Sequence, residues 1–164
     1  MVSSSVGNAG EYLVMAELLL QGFDAYLAGR ENPAFDIACF CSASGRATRL
    51  RVKTTTDGRA KWSAKKDGAL FRNLLPENDF VVIVNLCGAP DYRQFYIVPT
   101  GVVENDLSSD FKFYVNTVGP TGVTRKGDSK ARFMTFDTEE RPTDRGYGYA
   151  KKYVKYKDAW NSLR

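Results

Sequence analysis

The sequence predicts a single α/β domain in which helices flank a mixed β-sheet. Three observations predict it. An apolar pattern at helical spacing opens the chain, and the runs 34–41 and 47–55 alternate as half-buried strands do. Residues 79–86 form a nearly continuous apolar run, which is typical of a strand covered on both faces. The 164 residues fit one domain over 1–164, with a core of its own.

The elements follow in a simple order along the first hundred residues. The first helix is expected to begin at Asn8, whose side chain can cap it, and to end before Gly22. Five strands are expected, at residues 23–28, 34–41, 47–55, 79–86 and 94–98. Residues 42–46 form the turn between the second and third of these strands. A helix followed by three strands, a gap and two strands is consistent with a mixed sheet.

The second half of the chain is less regular. Residues 99–106 predict a short helix that begins at a proline. Alternation predicts short strands over 111–115 and around Phe133, separated by an exposed loop over 118–130. An amphipathic helix over 153–163 is expected to close the domain.

Composition limits the classes of function. The net charge of +4 permits a nucleic-acid partner without requiring one. There is no histidine, which excludes histidine-ligated zinc and a histidine general base. Three cysteines at positions 39, 41 and 87 have no metal-ligand spacing and suggest a reducing compartment. Since no run approaches the roughly 20 apolar residues of a membrane span, a cytoplasmic protein without a membrane partner is expected.

The hairpin of the second and third strands places polar side chains together. If Ser44 and Gly45 form its tip, paired residues sum to 89 and Asp36 lies opposite Lys53. Paired residues share a face, and Arg51 falls on that face as well. The opposite face carries the apolar residues Phe35, Ile37, Leu50 and Val52 and is therefore expected to be the core side.

This cluster suits phosphodiester hydrolysis. That reaction uses a divalent cation to polarise the phosphate and a positive group to orient water or stabilise developing charge. Asp36 would bind the cation and Lys53 would be the positive group. Glu11 would hold the metal directly or through water, provided that its helix packs with its N-terminus over this face. A capping box with Asn8 is the alternative role for Glu11.

Three short motifs resemble those of a known superfamily. They are Gly7-x-x-Gly10-Glu11, Phe35-Asp36-Ile37 and Arg51-Val52-Lys53-Thr54. In order and spacing they are similar to the signature of the PD-(D/E)xK nucleases, in particular the Holliday-junction-resolvase-like and homing-endonuclease-like branches. The resemblance covers residues 7–100 best. It implies a restriction-endonuclease-like fold, a Mg²⁺ or Mn²⁺ cofactor and cleavage of DNA, with catalytic residues Glu11, Asp36 and Lys53. Related folds often work as dimers, so a homodimer or a separate protein partner is a further possibility.

Arg51 departs from the motif, because a guanidinium has no lone pair to offer a cation. In one outcome the site holds one metal through Asp36, Glu11 and the carbonyl of Val52. In another, metal binding is lost and Arg51 neutralises Asp36 as an ion pair. In a third, the missing carboxylate has migrated, with Glu17 and Glu31 as candidates. The function is accordingly a metal-dependent DNA endonuclease, or else a DNA-binding or assembly subunit with a decayed site.

A DNA-binding surface is predicted beside this site. Arg59, Lys61 and Trp62 mix cations with an aromatic ring, followed by Lys65 and Lys66, as surfaces that bind nucleic-acid strands do. Arg51 would contact a phosphate. The alternative is a solvated loop from which Trp62 folds into the core. A second basic group, Arg125, Lys126, Lys130 and Arg132, lies on the glycine-bearing loop and is either a phosphate contact or a solvated segment.

Overall fold

A computed structural model describes residues 3–29, 32–88, 92–119, 122–123, 125, 127, 129–136 and 146–164, without the side chains of residues 3 and 4. The helices are α1 (Ser3–Leu20), α2 (Thr100–Asn116) and α3 (Tyr149–Lys152), followed by two 3₁₀ turns at Val154–Tyr156 and Trp160–Leu163. The strands are β1 (Asp24–Leu27), β2 (Ile37–Cys41), β3 (Arg46–Thr55), β4 (Arg59–Ser63), β5 (Asp79–Asn85), β6 (Gln94–Pro99) and β7 (Ala131–Thr135). Within these ranges, no helix combines the length and the apolarity that crossing a bilayer requires.

The predicted mixed sheet flanked by helices is confirmed. Five strands lie in the order β1-β2-β3-β5-β6, and β4 pairs with β7 in a separate two-stranded sheet. Neighbouring strands of the large sheet are antiparallel except β3 and β5, which are parallel. All seven residues of β5 are buried, as expected for a strand covered on both faces.

The large sheet has an apolar core on each face. One core joins α1 and the C-terminal turn to the sheet, through residues such as Val14, Leu18, Ile37, Leu50 and Trp160. The other joins α2, the β4–β7 pair and α3 to the opposite face, through residues such as Val81, Ile83, Val103, Met134 and Tyr149. The central strands β3 and β5 are therefore held from both sides, which makes them a rigid base for polar side chains.

The first helix begins earlier than expected. It starts at Ser3, so Asn8 lies inside it and does not cap it. The capping box with Glu11 is therefore wrong. The segment before Asn8 contains no proline, and packing of the apolar face of α1 onto the sheet outweighs the local preference of asparagine for a cap. The helix ends at Leu20 and is followed by Gly22 at φ 80°, as predicted.

Two expectations for the second half are wrong. The helix that begins after Pro99 continues to Asn116, so residues 111–115 are helical and do not form a strand. Helical spacing buries Val103 and Leu107, while Phe113 points to solvent. Residues 153–163 form two 3₁₀ turns instead of one helix, because the backbone at Asp158 has a positive φ of 51° and Lys157 bridges to Tyr96 of β6. The strand around Phe133 is confirmed as β7.

The strand β4 is absent from the sequence-based prediction, which treated residues 59–63 as part of a gap. Its alternation is visible in the structure, since Ala60 is buried and Trp62 half-buried while Arg59, Lys61 and Ser63 are exposed. Pairing with β7 satisfies its backbone, with Lys61 opposite Phe133. Of the predicted loop over 118–130, positions 120, 121, 124, 126 and 128 lie outside the described residues.

Candidate functional site

The β2–β3 hairpin has a different register from the one expected. Ile37 pairs with Leu50 and Cys41 with Arg46, so paired residues sum to 87, not 89. The turn has four residues instead of two, and it is closed by a hydrogen bond from Gly45 N to Cys41 O at 2.8 Å, with Gly45 at φ 72°. Asp36 is therefore not opposite Lys53. Because both sums are odd, the shift of two residues leaves the paired side chains of β2 and β3 on their predicted faces. Phe35, which precedes β2, is an exception: it lies against Arg49 and not in the core with Ile37 and Leu50.

Asp36 is fixed at the point where β2 begins. Its N–H donates to Leu50 O and its carbonyl accepts from Ala28 N, both at 2.8 Å. Its side chain is also held, since Oδ2 accepts a hydrogen bond from Val52 N at 2.7 Å. A carboxylate bound to a backbone N–H is a strong, charge-assisted contact, so Asp36 has a defined orientation next to β3.

Arg51 does not form the ion pair that one alternative required. Its guanidinium donates from Nη1 to Pro33 O at 3.2 Å and lies 5.3 Å from the ring centre of Phe71. Among the described residues, no oxygen of Asp36 comes within 4.0 Å of it. Burial lowers the pKa of Arg51, and attraction by Asp36 opposes this to a smaller extent. Arg51 is thus a half-buried cation whose charge the protein compensates incompletely.

Lys53 is the second cation on this face. It is half-buried on β3, and its Nζ lies 5.7 Å from the ring centre of Trp62. Burial lowers the pKa of Lys53, Asp36 raises it, and Lys61 lowers it. Because Asp36 raises the pKa of Lys53, the carboxylate and the ammonium group attract each other, although Asp36 is two residues away from the position directly opposite Lys53.

The lowered pKa of Lys53 predicts a pH dependence of stability. The folded protein holds this proton less tightly than the unfolded chain, so between the lowered pKa of the folded state and the ordinary lysine value of 10.5 the unfolded state binds more protons. Stability from this group therefore rises as pH rises toward that value. The buried tyrosines, whose pKa values are raised, act oppositely at high pH. Chemical unfolding of wild type and Lys53→Met at pH 7 and 9.5 isolates the lysine: the wild type should gain stability relative to the variant. An unchanged difference would contradict the burial of the charge.

Glu11 lies on α1 where this helix approaches β3 most closely. The preceding residue, Gly10, has no side chain, and a Cβ there would lie 1.8 Å from Oγ1 of Thr54. Glu11 is half-buried. The side chain of Thr54 lies on the same face of β3 as Leu50 and Val52, so α1 packs on the face opposite to that of Arg51 and Lys53. The expectation that α1 lies over the face of Lys53 is therefore wrong.

Replacing Gly10 by alanine should separate α1 from β3. The new Cβ would also lie 2.9 Å from the Thr54 Cβ, which no side-chain rotation relieves. Overpacking of this kind costs about 1–3 kcal/mol. Gly7→Ala is the matched control on the same helix, because nothing lies within 4 Å of its Cβ, and it should be neutral or stabilising by about 0.5–1 kcal/mol. Equal unfolding midpoints for the two variants would show that the contact is not tight.

A basic surface extends from Lys53 along β4. Arg59 and Lys61 point outward. The guanidinium carbon of Arg59 lies 3.9 Å, and Nζ of Lys61 5.9 Å, from the ring centre of Phe133. Trp62 points inward and packs against the second core, which agrees with the alternative in which it serves packing, although it lies in a strand and not in a loop. Lys65 adds to this basic surface: its pKa is lowered by burial and, to a smaller extent, by repulsion from Arg72 and Arg51.

The donor atoms fit a divalent cation only in part. The described part of the chain contains no group of three or more histidine, cysteine, aspartate or glutamate side chains placed to hold a metal ion. Asp36 supplies one oriented carboxylate. Of the two candidates for a migrated carboxylate, Glu17 lines a different depression with Arg93 and Asp158, and Glu31 lies outside the described residues. Because Mg²⁺ often binds through one or two carboxylates together with water and substrate phosphate, this donor set fits an ion that the substrate helps to hold.

Two aromatic residues of the site escaped the sequence-based prediction. Phe71 lies beneath Arg51, and the loop that carries it is held by Glu104, whose carboxylate accepts hydrogen bonds from the N–H groups of Leu70 and Phe71. Nothing in the local sequence marks this contact. The contact of Phe133 with Arg59 had a signal in the sequence. Residues 59–63 alternate as a strand does, and a strand there could pair with the strand predicted around Phe133.

The chain is similar to known proteins in structure but not in sequence. No protein-family model and no curated protein matches the sequence. The structure is similar to a bacterial homing endonuclease, I-Ssp6803I, at 13% identity and a TM-score of 0.49, over 97% of this chain and 88% of that one. It is also similar to the Holliday junction resolvase Hjc of Archaeoglobus fulgidus, at 14% identity and a TM-score of 0.42, over 79% and 83%. Similarities this weak assign neither a family nor an activity.

Proposed function

We propose that the protein is a metal-dependent DNA endonuclease of the PD-(D/E)xK type, with Asp36 and Lys53 at its catalytic centre. The observation that supports it best is the hydrogen bond from Val52 N to the Asp36 carboxylate, because Val52 is the neighbour of the half-buried Lys53 in β3. A fixed carboxylate next to a poorly solvated ammonium group is the pair that hydrolysis of a phosphodiester uses.

The cations bind and position the phosphate. Lys53 donates to the attacking water or to a phosphate oxygen on which negative charge develops, and partial burial strengthens that interaction. Arg51 contacts the same phosphate or its neighbour through guanidinium N–H groups that Pro33 O does not use. Arg51 thus takes a substrate-binding role at the position where the family motif has an acid.

Asp36 would hold a Mg²⁺ or Mn²⁺ ion, together with the carbonyl of Val52 and with Glu11, which would have to reach the ion from the α1 side of the sheet, beyond the start of β2. When bound, the ion supplies a Lewis acid and a hydroxide source near neutral pH. The side chain of Asp36 is oriented for this by the N–H of Val52, which leaves its other oxygen outside that bond. Glu11 depends on the tight contact of Gly10 with Thr54 for its position.

The outward face of β4 would guide the DNA backbone toward this centre. Arg59 and Lys61 are exposed there, and each ring contact with Phe133 restrains a cation that would otherwise be mobile. Trp62 packs against the second core with its ring 5.7 Å from Nζ of Lys53, so its role would be to support Lys53 and not to contact DNA directly. Binding through such cations weakens steeply with salt.

The test is conversion of supercoiled plasmid and of branched oligonucleotide duplexes to nicked or cut products, in Mg²⁺, in Mn²⁺ and in EDTA. The proposal expects cleavage that EDTA abolishes. Intact DNA in all metals and substrates would overturn it, and salt-sensitive binding retained under those conditions would assign the chain to the DNA-binding alternative.

A further inference from the structure

A cavity of about 340 Å³ lies between α2 and β7, at the end of the basic surface formed by β4. Its walls carry several planar groups: the aromatic rings of Phe111, Tyr114, Phe133 and Tyr147 and the guanidinium groups of Arg59 and Arg132. Its volume is at the lower end of the range for small-molecule sites, roughly 300–1,000 Å³. A cavity of this size admits one planar heterocycle and excludes a double helix.

The planar groups are arranged in stacks. The Arg132 guanidinium carbon lies 3.2 Å from the ring centre of Phe111, and that of Arg59 lies 3.9 Å from the ring centre of Phe133. The rings of Phe111 and Tyr114 are 6.3 Å apart and nearly parallel, at 22°. Nucleobases stack on aromatic rings and on guanidinium planes of this kind.

Hydrogen-bonding groups complete the walls. Arg132 is buried, and its Nη1 donates to the carbonyls of Ser129 and Ala131 at 2.8 Å and 3.1 Å, which fixes the plane of its guanidinium. Asp110 contributes a carboxylate to the wall and accepts a hydrogen bond from the hydroxyl of Tyr149. An oriented carboxylate and an oriented guanidinium are acceptor and donor partners for the edge of a base.

The cavity lies on the path that the DNA would take. Arg59 belongs both to its wall and to the outward face of β4. Lys61 follows two residues later on the same face, about 7 Å along the strand, and the next residue, Trp62, has its ring centre 5.7 Å from Nζ of Lys53. The cavity is therefore within a few nucleotides of the catalytic centre.

We propose that this cavity receives an unpaired nucleobase of the DNA, so that the preferred substrate carries an extruded or unstacked base close to the cut. The inference rests on the proposed function for its substrate, and it adds the DNA structure that the catalytic centre alone does not define. Extruding a base that is already unpaired costs little, which would select such DNA over perfect duplex.

The experiment measures the affinity of the protein, in EDTA, for three otherwise identical duplexes: fully paired, with one bulged 2-aminopurine, and with an abasic bulge. Wild type should bind the 2-aminopurine bulge roughly 5-fold or more tightly than the abasic bulge. The fluorescence of the base should fall on binding. Tyr114→Ala should remove most of that preference while leaving affinity for the abasic bulge unchanged.

Phe113→Ala is the matched control, because Phe113 is an exposed aromatic residue of the same helix that does not line the cavity, and it should behave as wild type. Equal affinities of wild type for the two bulges, or an unchanged preference in Tyr114→Ala, would overturn the inference while leaving the nuclease proposal intact. Failure to bind any of the three duplexes would also overturn the inference, while the cleavage assay decides the nuclease proposal separately.

Discussion

Lys53→Met is expected to lower the rate of DNA cleavage by about 100-fold or more, which is the usual loss when a positioned group that stabilises transition-state charge is removed. Methionine retains most of the side-chain volume and its contact surface over Trp62, but carries no charge. Because burial disfavours the charged form of Lys53, the variant should fold at least as well as the wild type. Single-turnover rates in Mg²⁺, with unfolding midpoints alongside, measure both effects.

The matched control is Lys157→Met, which removes an exposed lysine near the C-terminus and should leave the rate unchanged. Asp36→Asn should reduce the rate as much as Lys53→Met does, since the amide keeps an oxygen for Val52 N and loses only the charge. A Lys53→Met protein that folds and cleaves at the wild-type rate would remove Lys53 from the catalytic centre.

Asp79→Ala should produce the largest loss of stability, about 2–4 kcal/mol, because it removes a buried carboxylate that accepts three charge-assisted hydrogen bonds. Asp79 accepts two hydrogen bonds from Arg49, at 2.6 Å and 2.7 Å, and a third from Leu75 N at 2.7 Å. The side chain of Asp79 is 9% exposed and that of Arg49 is 27% exposed, so water screens the pair only in part. Denaturant unfolding of the purified variant measures the loss.

Asp67→Ala is the control for that measurement. Asp67 also forms an ion pair, with Arg72 at 3.4 Å, but both side chains are largely exposed, so the loss should be under about 0.5 kcal/mol. The loop that ends at Asp79 carries Phe71 beneath Arg51, so Asp79→Ala should weaken DNA binding as well. Similar losses for the two variants would contradict the role assigned to burial.

The large sheet could be predicted from the sequence because its strands carry strong periodic patterns. The uniform apolar run of β5 and the alternation of β3 leave few other arrangements for those segments. The hairpin register was less predictable, since Ser42, Ala43, Ser44 and Gly45 suit both a two-residue and a four-residue turn. The extent of α2 was misjudged because Phe111, Phe113 and Val115 alternate by chance while the helix buries its face through Val103 and Leu107.

In the candidate site, too, the features set by neighbouring residues could be predicted and those set by distant segments could not. Placing Asp36 near Arg51 and Lys53 required only the hairpin and its parity; the structure preserves that parity and holds the Asp36 carboxylate at Val52 N, between the two cations in sequence. The contacts that tune these residues come from distant segments. Phe71 reaches Arg51 from the loop after β4, and Trp62 reaches Lys53 from a strand that pairs with β7. Contacts of this kind depend on tertiary packing, which no local pattern encodes.

Metal binding by Asp36 has to occur in the presence of the Arg51 guanidinium. This binding is tested most directly by calorimetric titration of Mn²⁺ into the Lys53→Met protein bound to duplex DNA, where the phosphate is present and cleavage is blocked. Addition of Asp36→Asn to this protein should abolish the binding heat, and addition of Arg51→Glu, which supplies a second carboxylate, should tighten binding. Saturable Mn²⁺ binding that depends on Asp36 is the result expected. No binding to the Lys53→Met complex, or binding that persists without the Asp36 carboxylate, would contradict it.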